Sequence, residues 1–294
     1  MSMAPLSMHA LRFFAASLFA SSVAVTAAQA QSQVNAQELV KDVVFNELKA
    51  AKDDNTHWMY FSNETAADGH QLREVVETKD GVIYRVMGVD GRPLSAEERQ
   101  QEDQRIQKLL SNPSDQKKQQ KARDEDAKKA KELLQMLPTA FIYNVQSVGE
   151  TTIRLSFVPN PAFDPPSRET KVFHNMEGTM LVDRRQKRLK LLSGRLANDV
   201  EFGGGFFGRL HKGGTFLVEQ TDVGGGHWQP VLTDVHITGR ALFFKTIKEQ
   251  QHEICSKFHR VPDSLSLSQA AEMLIKNPNG TEISSAQSPR SKAD

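Results

Sequence analysis

Thr151-Thr152-Ile153-Arg154-Leu155-Ser156-Phe157-Val158 alternates apolar and polar residues, with Ile153, Leu155 and Phe157 on one face. A period of two marks a half-buried strand. Pro161, Pro165 and Pro166 then mark a loop. Further strand candidates run over 177–183, 188–196, 214–223, 228–238 and 240–249, with turn signals between them at short intervals. Parallel strands need a crossover of about a dozen residues or more, and this spacing has no room for one. The second half of the chain therefore predicts an antiparallel sheet.

Upstream, residues 36–51 carry Leu39, Val43, Val44, Leu48 and Ala51 at three- and four-residue steps. That spacing predicts an amphipathic helix with Asn35 as N-cap, broken by Asp53-Asp54-Asn55. Residues 57–62 and 71–78 read as strands. Asp80-Gly81 is a hairpin signal, and Val82-Ile83-Tyr84-Arg85-Val86 returns from it. Asp90-Gly91-Arg92-Pro93 forms another turn. Near the end, Ser264 opens a short helix with Leu267, Ala270, Ala271 and Leu274 as its stripe. Residues 277–294 are polar and read as a mobile tail.

Residues 95–137 differ from their surroundings, with ten basic and nine acidic side chains and no aromatic. Ile106, Leu109 and Leu110 mark one helical stripe. Ala127, Ala130, Leu133, Leu134 and Leu137 mark another. Asn112-Pro113-Ser114 divides them, with Ser114 or Asp115 read as the cap of the second helix. The segment fits a solvated helical hairpin, a partly disordered insertion or lid, or a partner-binding coiled coil. Its charges compensate each other, so it carries no nucleic-acid signal.

The first thirty residues have the order of a secretory signal peptide. Arg12 precedes the apolar run that starts at Phe13 and Phe14, and Ala28-Gln29-Ala30 supplies small residues for cleavage. The run is too short and too rich in Ser and Ala for a span of about 20 residues. Cleavage after Ala30 would place the mature chain outside the cytoplasm, with no transmembrane span. The expected domains are a leader over 1–30, a sheet domain over 31–262, and a short helix with its tail over 263–294.

The chain has 294 residues, with 37 basic and 36 acidic side chains. Arg12 is the only charged residue of the leader, so the mature chain balances. A neutral balance gives no general attraction to nucleic acid or anionic membrane. Cys255 is the only cysteine, so the fold holds together without an internal disulfide, and the thiol reads as a small buried hydrophobe.

Motifs for chemistry fail one by one. Gly203-Gly204-Gly205-Phe206-Phe207-Gly208 matches G-x-G-x-x-G, but Gly213-Gly214 and another strand follow where a helix would be needed. The glycines read instead as sharp turns between strands, amid Phe202, Phe206, Phe207, Leu210 and Phe216. His252-Glu253 lacks the second histidine of H-E-x-x-H. His227 and His236 are nine residues apart in one strand region and would face opposite ways. No G-x-S-x-G is present. No catalytic residue, metal ligand or cofactor is expected.

Residues 173–262 carry a resemblance. Its strings are Met176-Glu177-Gly178-Thr179-Met180-Leu181-Val182-Asp183 and Arg188-Leu189-Lys190-Leu191-Leu192-Ser193-Gly194. Phe202-Gly203-Gly204-Gly205, Gly213-Gly214-Thr215-Phe216-Leu217-Val218-Glu219-Gln220, Trp228-Gln229-Pro230 and Val235 to Phe244 follow. The stretch resembles bacterial periplasmic proteins with the LolA/LolB-like fold of outer-membrane lipoprotein carriers, above all a branch of exported proteins. The resemblance implies an α+β fold: a curved antiparallel sheet, an incomplete β-barrel, with helices on its concave side. The charged segment 95–137 would be an added insertion or an enlarged lid.

The resemblance also implies a non-enzymatic carrier or sensor of a lipid-like or acylated ligand, held between sheet and helices. Its partners would be lipid or lipoprotein acyl chains. Alternation and aromatic size select Trp58, Tyr60, Phe157, Phe216, Trp228 and Phe244 as pocket walls. A second expectation is an interaction module that binds an envelope protein through 95–137. An exported hydrolase ranks third.

Overall fold

Asn35 starts the first helix, its side-chain oxygen accepting from the backbone N–H of Gln37 at 3.0 Å and of Glu38 at 3.2 Å. The computed structural model describes residues 34–67, 69–167, 169–202, 208–241 and 245–276. Helix α1 (Ala36–Asp53) leads into a meander of β1 (His57–Ala66), β2 (Gly69–Thr78), β3 (Gly81–Val89) and β4 (Arg92–Pro93). Helices α2 (Ala96–Ser111) and α3 (Pro113–Ala140) follow. Next come β5 (Phe141–Val148), β6 (Thr152–Pro159), a 3-10 turn (Glu169–Asn175), β7 (Met176–Asp183) and β8 (Leu189–Leu196). The chain continues through β9 (Val200–Phe202), β10 (Gly208–Leu210), β11 (Thr215–Asp222), β12 (Trp228–Ala241), β13 (Lys245–Val261) and α4 (Leu267–Lys276).

The strands form one antiparallel sheet in the order β4-β3-β2-β1-β13-β12-β11-β8-β7-β6-β5, with β10 beside β12 and β9 beside β10. The sheet is antiparallel, as the strand spacing predicts, and is curved without closing into a barrel, as the resemblance implies. Chain order explains the layout. Consecutive hairpins build each half, and the last strand β13 returns to pair with β1.

Register assigns the faces. Glu64, Glu253, Thr233, Val218, Leu192, Met180 and Leu155 are successive cross-strand partners, so their side chains share one face. At the β5–β8 end this face is apolar. Leu39, Val40, Val43 and Val44 of α1 bury it together with Leu137 and Ala140 of α3. This is the concave side. At the other end, Val76 and Ile83 point to the opposite face and pack against Ala270, Ala271 and Leu274 of α4 and Ile106 of α2. Helix α4 and the buried side of α2 therefore cover the face opposite the one that α1 covers. The residue parity of β2 and β3 requires it.

One row explains how the sheet bends. Phe157, Gly178, Gly194 and Phe216 are successive cross-strand partners. A methyl group on Gly178 would collide with the Ser193 carbonyl oxygen and with the Phe157 ring. A methyl group on Gly194 would meet the Phe216 ring at 2.5 Å. The two rings occupy the space the missing side chains leave, and the strands approach closely. Gly239 behaves likewise. The strand spacing predicts a break at Gly239, yet β12 runs through it, and the Arg209 backbone of β10 approaches where a side chain would stand.

The segment 95–137 is no detached insertion. Ser95 caps α2 through a reciprocal capping box with Glu98. Asn112, and not Ser114 or Asp115, caps α3, because Pro113 at the first helical position places the N–H groups of Ser114 and Asp115 over the Asn112 oxygen. Helix α2 lies along the open edge of β3. Glu102 accepts from Val86 N–H at 2.8 Å, and Arg105 donates to the Tyr84 carbonyl at 2.6 Å. Arg123 of α3 donates to the Val82 carbonyl at 3.0 Å. Side chains thus satisfy an edge that would otherwise pair with another chain. At its far end α3 is fastened by Tyr143, whose hydroxyl donates to the Leu137 carbonyl at 3.1 Å, and by Asn160.

Beneath α4 the sheet buries charge. Glu74 and Arg85 face each other in register. Arg85 pairs with Asp103 at 2.7 Å and donates to the Leu274 carbonyl at 2.6 Å, closing the C-terminal end of α4. The predicted leader, Phe244, the core of the glycine run at 203–207 and the tail from 277 lie outside the described residues. The strands flanking that glycine run pair with each other, Phe202 opposite Gly208. A strand therefore follows it, as a turn reading requires and a dinucleotide reading does not.

The glycine row has a measurable consequence. Gly178→Ala should cost about 3 kcal/mol, because its obstacle is backbone, and Gly194→Ala about half as much, because a ring can move. Adding Phe216→Leu should recover part of the second loss and none of the first, read from urea unfolding midpoints.

Candidate functional site

Helix α3 is 28 residues long, a span of about 42 Å. It reaches from the β3 edge, where Arg123 is bound, to the β5 end, where Leu137 is buried. Between these anchors every residue from 124 to 133 is exposed. Ala127, Ala130 and Leu133 belong to the same helical face as Leu134 and Leu137, which are packed against the α1 core. They also follow Arg123 around that face. The stripe that looks at the sheet is therefore anchored at both ends and uncovered in the middle. The exposed middle of α3 therefore spans between its anchors at the β3 and β5 ends of the sheet.

The concave face of the sheet changes character from end to end. Next to α1 it is apolar, with half-buried Leu192, Phe216, Val218 and Val235. Toward β13, β1 and β2 it becomes polar. Ser62 donates to Glu253 at 2.6 Å, Gln251 donates to Glu64 at 3.2 Å, and Arg73 pairs with Glu64. Tyr60 stacks on Phe258 with ring centroids 5.0 Å apart. An elongated guest would thus meet an apolar wall on one side and hydrogen-bonding groups on the other.

Cys255 sits on this polar side. It is half-buried, and not the buried hydrophobe expected from sequence, because its register partner Ser62 and neighbour Glu253 make that part of the concave face polar. Burial and the adjacent Glu253 push its thiol up to about 12. It is therefore a poor nucleophile at neutral pH.

A polar knot closes the lower end. Asp54, just past α1, meets His227 Nδ1 at 2.9 Å and accepts from the Thr56 hydroxyl at 2.6 Å. Trp58 Nε1 donates to Thr56 at 3.0 Å. Thr56 also faces His227 Nδ1, at 3.3 Å, so acid and hydroxyl address the same ring nitrogen. A nucleophile–base–acid relay needs them on opposite nitrogens. The knot ties α1, β1 and the β11–β12 turn together.

On the outer face Asp234 lies between His236 at 3.2 Å and His252 at 3.1 Å, all solvent-accessible. Among the described residues no group of three or more His, Cys, Asp or Glu side chains is arranged to hold a metal ion. No described helix is long and apolar enough to cross a membrane.

Five of the six expected pocket walls can be placed. Phe157 is buried in the α1 core. Trp58 is buried at the lower end, and so is Trp228, whose Nε1 donates to Gln186 at 2.9 Å under the Arg188 guanidinium. Trp228 borders a polar hollow of about 720 Å³ with Arg184, Gln186 and Asp222. Another hollow, of about 550 Å³, lies on the outer face over Thr179 and Ser193. Tyr60 and Phe216 are half-buried on the concave face. Sequence reasoning missed Val218 and Val235 because it favoured aromatics. Ala127, Ala130 and Leu133 were visible as a helical stripe, but nothing local shows that the stripe stays uncovered.

No protein-family model matches this sequence, and no curated protein matches it.

Glu77 offers a pH test of the lower end. Burial drives its carboxyl from the ordinary 4.5 up to about 7; the Trp58 N–H at 3.1 Å opposes the rise and Asp54 adds to it. The folded state holds this proton where the unfolded state has lost it. The stability Glu77 contributes is therefore complete below about pH 4.5 and declines as pH rises to about 7, by at most about 1.4 kcal/mol per pH unit. Glu77→Gln should remove that slope, measured as the wild-type minus variant difference in urea stability from pH 4.5 to 8.

Proposed function

We propose that this chain is a non-enzymatic binding or carrier protein for a lipid-like or acylated ligand, held between the curved sheet and α3. One observation carries the reading: the apolar stripe of α3 is packed at Leu134 and Leu137 and left open at Ala127, Ala130 and Leu133. Water-exposed apolar surface on both walls of a gap favours an apolar guest, at about 0.8 kcal/mol per buried methylene. The polar end of the floor, with Ser62, Gln251 and Arg73, suits a head group. The resemblance of 173–262 to the LolA/LolB-like carriers and the signal-peptide order of 1–30 support the same reading, with work in the periplasm. The long α3 would act as a cover over the guest, held at Arg123 and Leu137.

Native mass spectrometry of gently purified protein should find co-purified lipid, and a fluorescent fatty acid should bind saturably. Val218→Asp on the floor and Ala130→Asp on the roof should each weaken that binding about tenfold or more, or about 1.4 kcal/mol, with the circular dichroism unchanged. Absence of both lipid and saturable binding would overturn the reading. If lipid is absent and an envelope protein is lost from pull-downs with Leu133→Asp, the stripe serves as a docking helix instead.

A further inference from the structure

The two edges of the sheet are treated differently. The β3 edge is blocked by Glu102, Arg105 and Arg123, as described above. The other end of the sheet is β5, and among the described residues no strand pairs with its outer side. An open edge presents unpaired N–H and C=O groups, which proteins usually blunt with charges or proline. Phe141-Ile142-Tyr143-Asn144-Val145-Gln146-Ser147-Val148 has neither, in a chain with 73 charged residues, 37 basic plus 36 acidic. It combines β-branched and aromatic residues with zero charge, the composition that pairs most readily.

Apolar exposure is concentrated here. Of eight large hydrophobic side chains exposed among the described residues, four are Ile142, Val145 and Val148 of β5 and Val158 of β6. Ile142 and Val158 are direct cross-strand partners, 43% and 42% exposed on the outer face. The register shifts between Val145 and Ser147, and Gln146 turns its amide to the Ser156 hydroxyl at 2.7 Å. The regular part is therefore 141–145, within which the Phe141 carbonyl already accepts from Gln37 of α1 at 3.2 Å.

We infer that β5 is the interface of a two-fold homodimer, in which 141–145 pairs antiparallel with the same segment of a second copy. Charge argues for this occupant. In an isologous pairing each strand meets its own sequence, so any charge would approach a like charge; β5 carries none. Self-pairing also brings Ile142 and Val158 of both copies into one apolar cluster, and a two-fold contact covers the β5 edge of each. Assembly then stops at two and does not continue as a fibre.

Sedimentation-velocity ultracentrifugation of the purified chain over a dilution series is the test, with hydrogen exchange of the β5 amides read alongside. The expected result is a reversible dimer with slowed exchange over 141–145. Ile142→Lys and Val145→Lys should each give a monomer with unchanged circular dichroism and faster exchange there. Ile254→Lys, on an exposed outer-face position of β13 away from the edge, should leave the dimer intact. A wild-type chain that stays monomeric throughout overturns the proposal. So does a dimer that survives both β5 substitutions, or a monomer whose β5 protection is lost on removing 277–294.

Discussion

Two glycines facing each other across β7 and β8, with an aromatic ring laid over each, set the conditions for everything else. A sheet this wide needs help to bend, because side chains on its inner face crowd as curvature rises. Gly178 and Gly194 remove that crowding, and Phe157 and Phe216 refill the space from neighbouring strands. The curvature leaves an inner face that α1 covers only over β5–β8. It also leaves two edges that never meet.

Those edges explain the charged helices. A segment with little apolar content cannot fold by burial alone. Here its charges have structural work. Glu102, Arg105 and Arg123 satisfy backbone groups of β3, Asp103 neutralises Arg85 beneath α4, and Arg105 lies 4.3 Å over the Tyr84 ring. The composition that reads as solvated surface is what a sheet edge requires. Once anchored there, α3 has to cross the opening to reach the β5 end, and its middle is left without a floor of its own.

The concave face is graded, apolar near α1 and polar near β1. Gradation arises because the two halves of the sheet face different neighbours. Met180 and Leu155 look into the α1 core, whereas Glu64 and Glu253 lie where α1 does not reach. Val218 and Phe216 stand at the boundary, half-covered.

The sequence by itself determined the elements. Period-two alternation in 151–158, the Asn35 cap, the Asp80-Gly81 turn and the final stripe from Leu267 to Leu274 all act between near neighbours, so they are legible in one dimension. So was the antiparallel class, because short connections forbid crossovers. Tertiary structure alone decided the rest. Nothing local tells Gly178 that its partner is Gly194, sends α4 to the opposite face from α1, or places Cys255 beside Ser62 and Glu253. It likewise decided that Leu134 would be half-buried while Leu133 stayed exposed. Those outcomes depend on register between strands far apart in the chain, and register is set by packing many residues at once.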